Sequence, residues 1–134
     1  MYEPVKKIVF ATDLKELHNY KLYLNEVIRV AEIFDASIHF LHISNREKAH
    51  PPESREVYKA IMEIIEWNKR HVFRTCFGKD IISMVEEYIK KNEVELLAVV
   101  KHHHYFPETL FHKSFSNEVS LRSKVPVLVM REQV

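Results

Sequence analysis

Hydrophobic positions along the chain fall into two alternating rhythms. Lys6-Lys7-Ile8-Val9-Phe10-Ala11 is an apolar run of strand length that stops at Thr12-Asp13. After a polar stretch through Asn19, apolar residues return at Leu24, Val27, Ile28, Ala31 and Phe34. That spacing of three and four puts them on one face of a helix, which Asp35-Ala36 ends. Ser37 to Ile43 alternates apolar residues with histidines and predicts a second strand. Asn45 to Pro52 is charged and carries two prolines, so it reads as a surface loop. Val57, Ile61, Ile64 and Ile65 then repeat at helical spacing, with Tyr58, Met62 and Trp67 thickening the stripe. Arg70 to Phe77 predicts a third strand, and Arg74 within it points to a sheet edge. Gly78 supplies a turn, and Asp80 suits the cap of a helix whose inner face is Ile81, Val85, Tyr88 and Ile89 and whose end is Asn92. Glu95 to Lys101 and Pro126 to Met130 are short apolar runs, the pattern of strands covered on both faces.

Strands alternating with helices at these lengths predict an α/β fold: a five-stranded parallel sheet, doubly wound and Rossmann-like, with helices on both faces. No internal repeat, low-complexity tract or linker divides residues 1–134, so a single domain is expected. In such a sheet, ligands sit beyond the carboxyl ends of strands and against helix N-termini. The segment from Glu95 to Arg131 therefore attracts the functional reading. It holds a strand, the polar turn Lys101 to Pro107, the stretch Glu108 to Lys113, then Ser114-Phe115-Ser116, whose hydroxyls suit the start of a short helix, and the final strand.

Charge and composition narrow the function. Twenty basic residues nearly cancel 19 acidic ones, which argues against a nucleic-acid footprint or a polybasic membrane surface. No run approaches the roughly 18 apolar residues of a membrane span, and the N-terminus lacks a secretory pattern. A cytoplasmic protein is expected, and the single cysteine, Cys76, fits a reducing compartment. The count that decides most is glycine: about 7% usage would give roughly nine in this length, and the chain has one. Phosphate loops that need several glycines are excluded by composition.

The pieces Lys6-Lys7-Ile8-Val9-Phe10-Ala11-Thr12-Asp13-Leu14, the Leu41-His42-Ile43 strand end, Gly78 before the third helix, and Ser114-Phe115-Ser116 followed by Val125 to Met130 together resemble the universal stress protein family. The resemblance covers nearly the whole chain. Leu110 to Ser114 also resembles the second half of tandem two-domain members. The resemblance implies a fold of the adenine nucleotide alpha hydrolase-like kind and a homodimer paired through the last strand, mediated by Val127, Leu128, Val129 and Met130. Members that bind ATP carry a glycine, two residues, a second glycine, nine residues, and a third glycine followed by serine or threonine. Those glycine positions are Val100, His103 and Lys113 here, so all three are replaced. Backbone amides must approach phosphate oxygens closely, often at φ values that a side chain opposes. Still matched are Asp13, which in the binding branch faces the nucleoside, Ile43 at the adenine-facing strand end, and Ser114 and Ser116 at the helix start; Ala11, Thr12 and Phe115 join them, with Val100, His103 and Lys113, in the expected ligand cleft. The resemblance thus implies a stress-response module that binds or regulates without catalysis and without a cofactor, with an unidentified protein partner. The alternative is an ATP- or AMP-binding member with weak hydrolysis or none, in which Lys113 replaces glycine contacts with a cation.

Individual residues have plainer readings beside the functional ones. Asp13 can meet a ligand hydroxyl or serve as a turn carboxylate. His102, His103 and His104, with His112 nearby, do not converge on one ion, because adjacent residues on an extended chain point to opposite sides. A solvated, pH-sensitive loop is the preferred reading, and Lys101, Lys113 and a protonated His103 as a cationic mouth is the alternative. His39 and His42 lie three apart on a strand and face opposite ways. Cys76 is expected to be a buried, inert thiol. Ser114 and Ser116 lack the strained turn that exposes a hydrolase serine.

Overall fold

A computed structural model describes residues 4–12, 20–44, 52–77, 81–101 and 125–131. Its elements are β1 (Lys7–Thr12), α1 (Tyr20–Phe34), β2 (Ser37–Ser44), α2 (Pro52–Trp67), β3 (Val72–Phe77), α3 (Ile81–Asn92), β4 (Leu96–Lys101) and β5 (Val127–Arg131). The five strands form one sheet in the order β3-β2-β1-β4-β5, and every neighbouring pair is parallel. The expected short helix at Ser114 to Ser116, the Gly78 turn and the Asp80 cap lie outside the described residues.

Two apolar layers follow from the period of two along each strand. Ile8 and Phe10 of β1, Ile38 and Phe40 of β2, and Ala98 and Val100 of β4 face α1 and α2, where Tyr23, Leu24, Val27, Val57 and Ile61 close the core. Phe10 and Phe40 meet with ring centroids 6.2 Å apart. Val9, Ala11, Leu41, Ile43, Leu97 and Val99 point the other way, toward Val85, Tyr88 and Ile89 of α3. The centre of the sheet is dry on both sides, so β1 and β4 read in sequence as unbroken apolar runs.

Helix ends explain how the chain manages with one glycine. Asp35 and Glu93 both sit at φ 54°, in the left-handed region that usually selects glycine after a helix. After α1, the Ala36 N–H donates to Ala31 O at 2.8 Å and the Asp35 N–H to Glu32 O at 3.2 Å. After α3, the Val94 N–H donates to Ile89 O at 3.0 Å and the Glu93 N–H to Lys90 O at 3.4 Å. These are paired Schellman closures, each with a buried apolar residue, Ala36 or Val94, directly after the left-handed one.

Three expectations change. Pro52 is not in the loop but is the first residue of α2, where a missing N–H costs nothing and the fixed φ suits a helix. The third strand begins at Val72 rather than Arg70; residues 69 and 70 form the turn after α2. Trp67 does not thicken the buried stripe of α2, for it is 92% exposed. Six residues beyond the fully buried Ile61, it is turned roughly 120° off the inner face at about 100° per residue. Tyr58 and Met62 lie at the border of that face and are also exposed. Arg74 does mark an edge strand, since β3 ends the sheet order.

Candidate functional site

Strand order reverses between β1 and β4: β2 and β3 lie to one side of that boundary and β5 to the other. In parallel sheets, the crevice outside the carboxyl ends at such a reversal is where ligands bind. The strand ends bordering it are Thr12 of β1 and Lys101 of β4. The β1–β2 register continues to Thr12↔His42, whereas the described β1–β4 register runs from Ile8↔Leu96 to Phe10↔Ala98.

Of the residues expected to form the cleft, Ala11, Thr12, Ile43 and Val100 are described, and all four lie at the carboxyl ends of their strands. Ala11 and Ile43 share the α3 face. Val100 lies on the opposite face, buried in the α1–α2 core with its register partner Met130. Thr12 is a buried hydroxyl residue. Asp13, His103, Lys113, Ser114, Phe115 and Ser116 lie outside the described residues, as do His102, His104 and His112.

Lys101 of β4 pairs in backbone register with Arg131 of β5, so each of these neighbouring strands ends in a basic residue at the carboxyl edge of the sheet. The signal was present in the sequence, because both apolar runs stop at a basic residue. The histidines of β2 behave as their spacing demands. His39 Nδ1 meets the Tyr88 hydroxyl of α3 at 2.6 Å, while His42, on the other face, lies 6.3 Å from the Phe73 ring. Burial, with Lys7 and Arg74 nearby, lowers the His39 pKa, and burial raises that of Tyr88. Cys76 is half-buried rather than buried as expected, because β3 is an edge strand; its partial burial, with Glu87 nearby, still raises the thiol pKa, which keeps it protonated and a poor nucleophile. Among the described residues, no group of three or more His, Cys, Asp and Glu side chains could hold a metal ion.

The last strand meets its expectation of position. β5 is the terminal strand of the sheet, with Val129 exposed, Val127 and Leu128 half-buried and Met130 buried. At the amino edge of the sheet, the Glu95 carboxylate oxygen Oε1 accepts from the Lys6 N–H at 3.0 Å and the Lys7 N–H at 2.8 Å. Lys7 Nζ donates to the Asn92 carbonyl at 3.0 Å. These contacts clamp β1 to the α3–β4 connection, and sequence reasoning gave no sign of them.

No described helix is long and apolar enough to cross a membrane. Residues 4–131 match the model for the universal stress protein family. No curated protein matches the chain. Among solved structures, the chain is similar to the universal stress protein UspA from Lactobacillus plantarum, at 14% identity and a TM-score of 0.64, covering 97% of this chain and 100% of the other. It is also similar to the universal stress protein from Archaeoglobus fulgidus in complex with dAMP, at 15% identity and a TM-score of 0.59, covering 95% and 98%. A universal stress protein family protein from Arabidopsis thaliana with AMP bound is similar at 14% identity and a TM-score of 0.58, covering 96% and 93%.

Proposed function

This chain belongs to the universal stress protein family, and we propose that within it the chain acts as a stress-response binding or regulatory module, dimeric through β5, without catalysis and without tight ATP binding. The observation that carries this reading is Val100. It occupies the first of the three positions at which ATP-binding members place glycine, and its side chain is buried in the core against α1 and α2. A backbone that must let phosphate oxygens approach closely gains nothing from a packed β-branched residue there. The absence of glycine at His103 and Lys113 supports the same conclusion.

A second reading is adenine-nucleotide binding, which the dAMP- and AMP-bound relatives support. Lys101 beside Arg131, at the carboxyl edge of the sheet, would supply charge where glycine amides are missing. Calorimetric titration of the purified protein with ATP and with AMP, each with magnesium, separates the two readings. No detectable heat with either is expected. Micromolar or tighter binding of either would overturn the first reading in favour of the second.

A further inference from the structure

A cavity of about 530 Å³ opens between α1 and α2, on the face of the sheet away from α3. Its volume falls in the range of small-molecule sites. The floor combines Leu24, Ala31 and Ala36 with His71, all buried, and half-buried Ile28 and Ile64 form the walls. Ala31 and Ala36, with short side chains on the floor, leave room between the aliphatic walls.

His71 gives the slot a polar centre. Its Nδ1 accepts the Ile38 N–H at 2.9 Å, so the proton of the neutral ring resides on Nε2. Burial, with Arg70 and His39 nearby, lowers the pKa of the ring, which keeps it neutral near pH 7. The Nε2–H has no hydrogen-bond partner among the described residues, and Nε2 is not among the fully enclosed polar atoms without a partner. The side chain is 4% exposed and lines the cavity. A buried donor that keeps a little exposure on a cavity wall is a group suited to a ligand acceptor.

The mouth sets the rest of the specificity. Trp67 also lines the cavity and is the most exposed large apolar residue described, a ring face available for stacking. Glu32, Glu63, Lys21 and Arg70 are the charged lining residues, and Arg70 is engaged by Asp35 at 2.9 Å. Two carboxylates against one uncommitted cation disfavour an anionic ligand.

We propose that the α1–α2 groove is a binding site for a neutral, planar aromatic molecule carrying a hydrogen-bond acceptor, with the acceptor on His71 Nε2–H and the ring between the aliphatic walls and Trp67. The site lies on a helical face of the sheet and is independent of the carboxyl-edge crevice, so phosphorylated ligands belong to the crevice and not here.

Trp67 is the only tryptophan of the chain, so its fluorescence reports this groove alone. The test titrates the protein with benzamide, benzoate and toluene, following Trp67 emission and amide chemical shifts. Benzamide is expected to bind with a dissociation constant on the order of 1 mM, as suits so small a probe, and at least ~10-fold more tightly than the other two. The Ala60→Leu variant, which fills the slot from a half-buried position on α2, is expected to abolish binding. His71→Phe is expected to bring benzamide down to the affinity of toluene. Excess AMP is expected to leave benzamide binding unchanged. No saturable response to benzamide, equal affinity for benzoate, or full binding by a folded Ala60→Leu protein would overturn the proposal.

Discussion

Replacing Glu93 with glycine should make this protein more stable, an unusual outcome for a substitution at a helix end. Glu93 follows α3 at φ 54°, and an L-residue in that region loses about 1–2 kcal/mol to contact between Cβ and the following carbonyl. Glycine removes that contact but frees the unfolded chain, which gives back about 0.5–1 kcal/mol. The expected net gain is therefore about 0.5–1 kcal/mol. The carboxylate also sits at the negative end of the α3 dipole, beyond Lys90 and Lys91 of the last turn, so its removal adds a few tenths of a kcal/mol. Glu93→Ala separates the two effects, because it removes the charge and keeps the Cβ. Urea titration at neutral pH should place Glu93→Gly about 0.5–1 kcal/mol above Glu93→Ala, which corresponds to roughly 2–4 °C in Tm for a chain of this size. Asp35→Gly should gain less. Aspartate tolerates the left-handed region better than glutamate, and Asp35 also gives up its exposed pair with Arg70. If Glu93→Gly proves no more stable than Glu93→Ala, the Schellman geometry assigned to the end of α3 is wrong.

The other expectations concern the clamp, the histidines and the sheet edge. Glu95→Ala should cost about 1–2 kcal/mol, because the Lys6 and Lys7 amides lose a charged acceptor. Glu95→Gln keeps an acceptor oxygen and should cost clearly less; a larger loss for Gln than for Ala in urea titration would refute the clamp. His39 and His71 both have folded pKa values below the ordinary 6.5, so below about pH 6.5 the unfolded chain binds more protons. The stability from these neutral rings is fully present above that pH and is lost as pH falls through the lowered folded values. Urea midpoints measured from pH 7.5 to 5 should fall on the acid side, with a shallower slope in His71→Phe, and an unchanged slope would remove His71 from the account. Val129→Lys, at the exposed position of the terminal strand, should convert a dimer to a monomer in solution scattering at micromolar protein. A monomeric mass for the unsubstituted protein would end the β5 pairing proposal.

The parts of this fold that were legible in sequence are those in which one physical demand acts on consecutive residues. β1 and β4 are buried on both faces, so Ile8 to Ala11 and Leu96 to Val100 had to be continuous apolar runs, and α1 had to repeat Leu24, Val27 and Ala31 against the sheet. The edge position of β3 was visible through Arg74 for the same reason, since a charged side chain is tolerated where the sheet meets solvent. What stayed hidden depends on groups distant in the chain. Glu95 looks like a flanking charge until the fold sets it against the amides of residues 88 and 89 positions earlier. His71 reads as a polar interruption until the Ile38 N–H, 33 residues away, fixes its tautomer. The exposure of Trp67 was in fact legible from its angle to Ile61, but the groove beside it was not, because His71, Ala36 and Leu24 come to it from other elements. At the carboxyl edge the limit was different. The chain has basic residues at Lys101 and Arg131 of the carboxyl edge, while the three positions that the family resemblance assigns to glycine are Val100, His103 and Lys113, so charge is present where close backbone approach is not favoured. A lysine or arginine attracts a phosphate over several ångströms, but it cannot replace the close, directional contacts of consecutive N–H groups. On the proposed reading, such a crevice would capture anions weakly and in a salt-sensitive way rather than bind nucleotides tightly. The titrations with ATP and AMP at low and high ionic strength are therefore expected to differ little from buffer, and any residual heat should disappear in high salt.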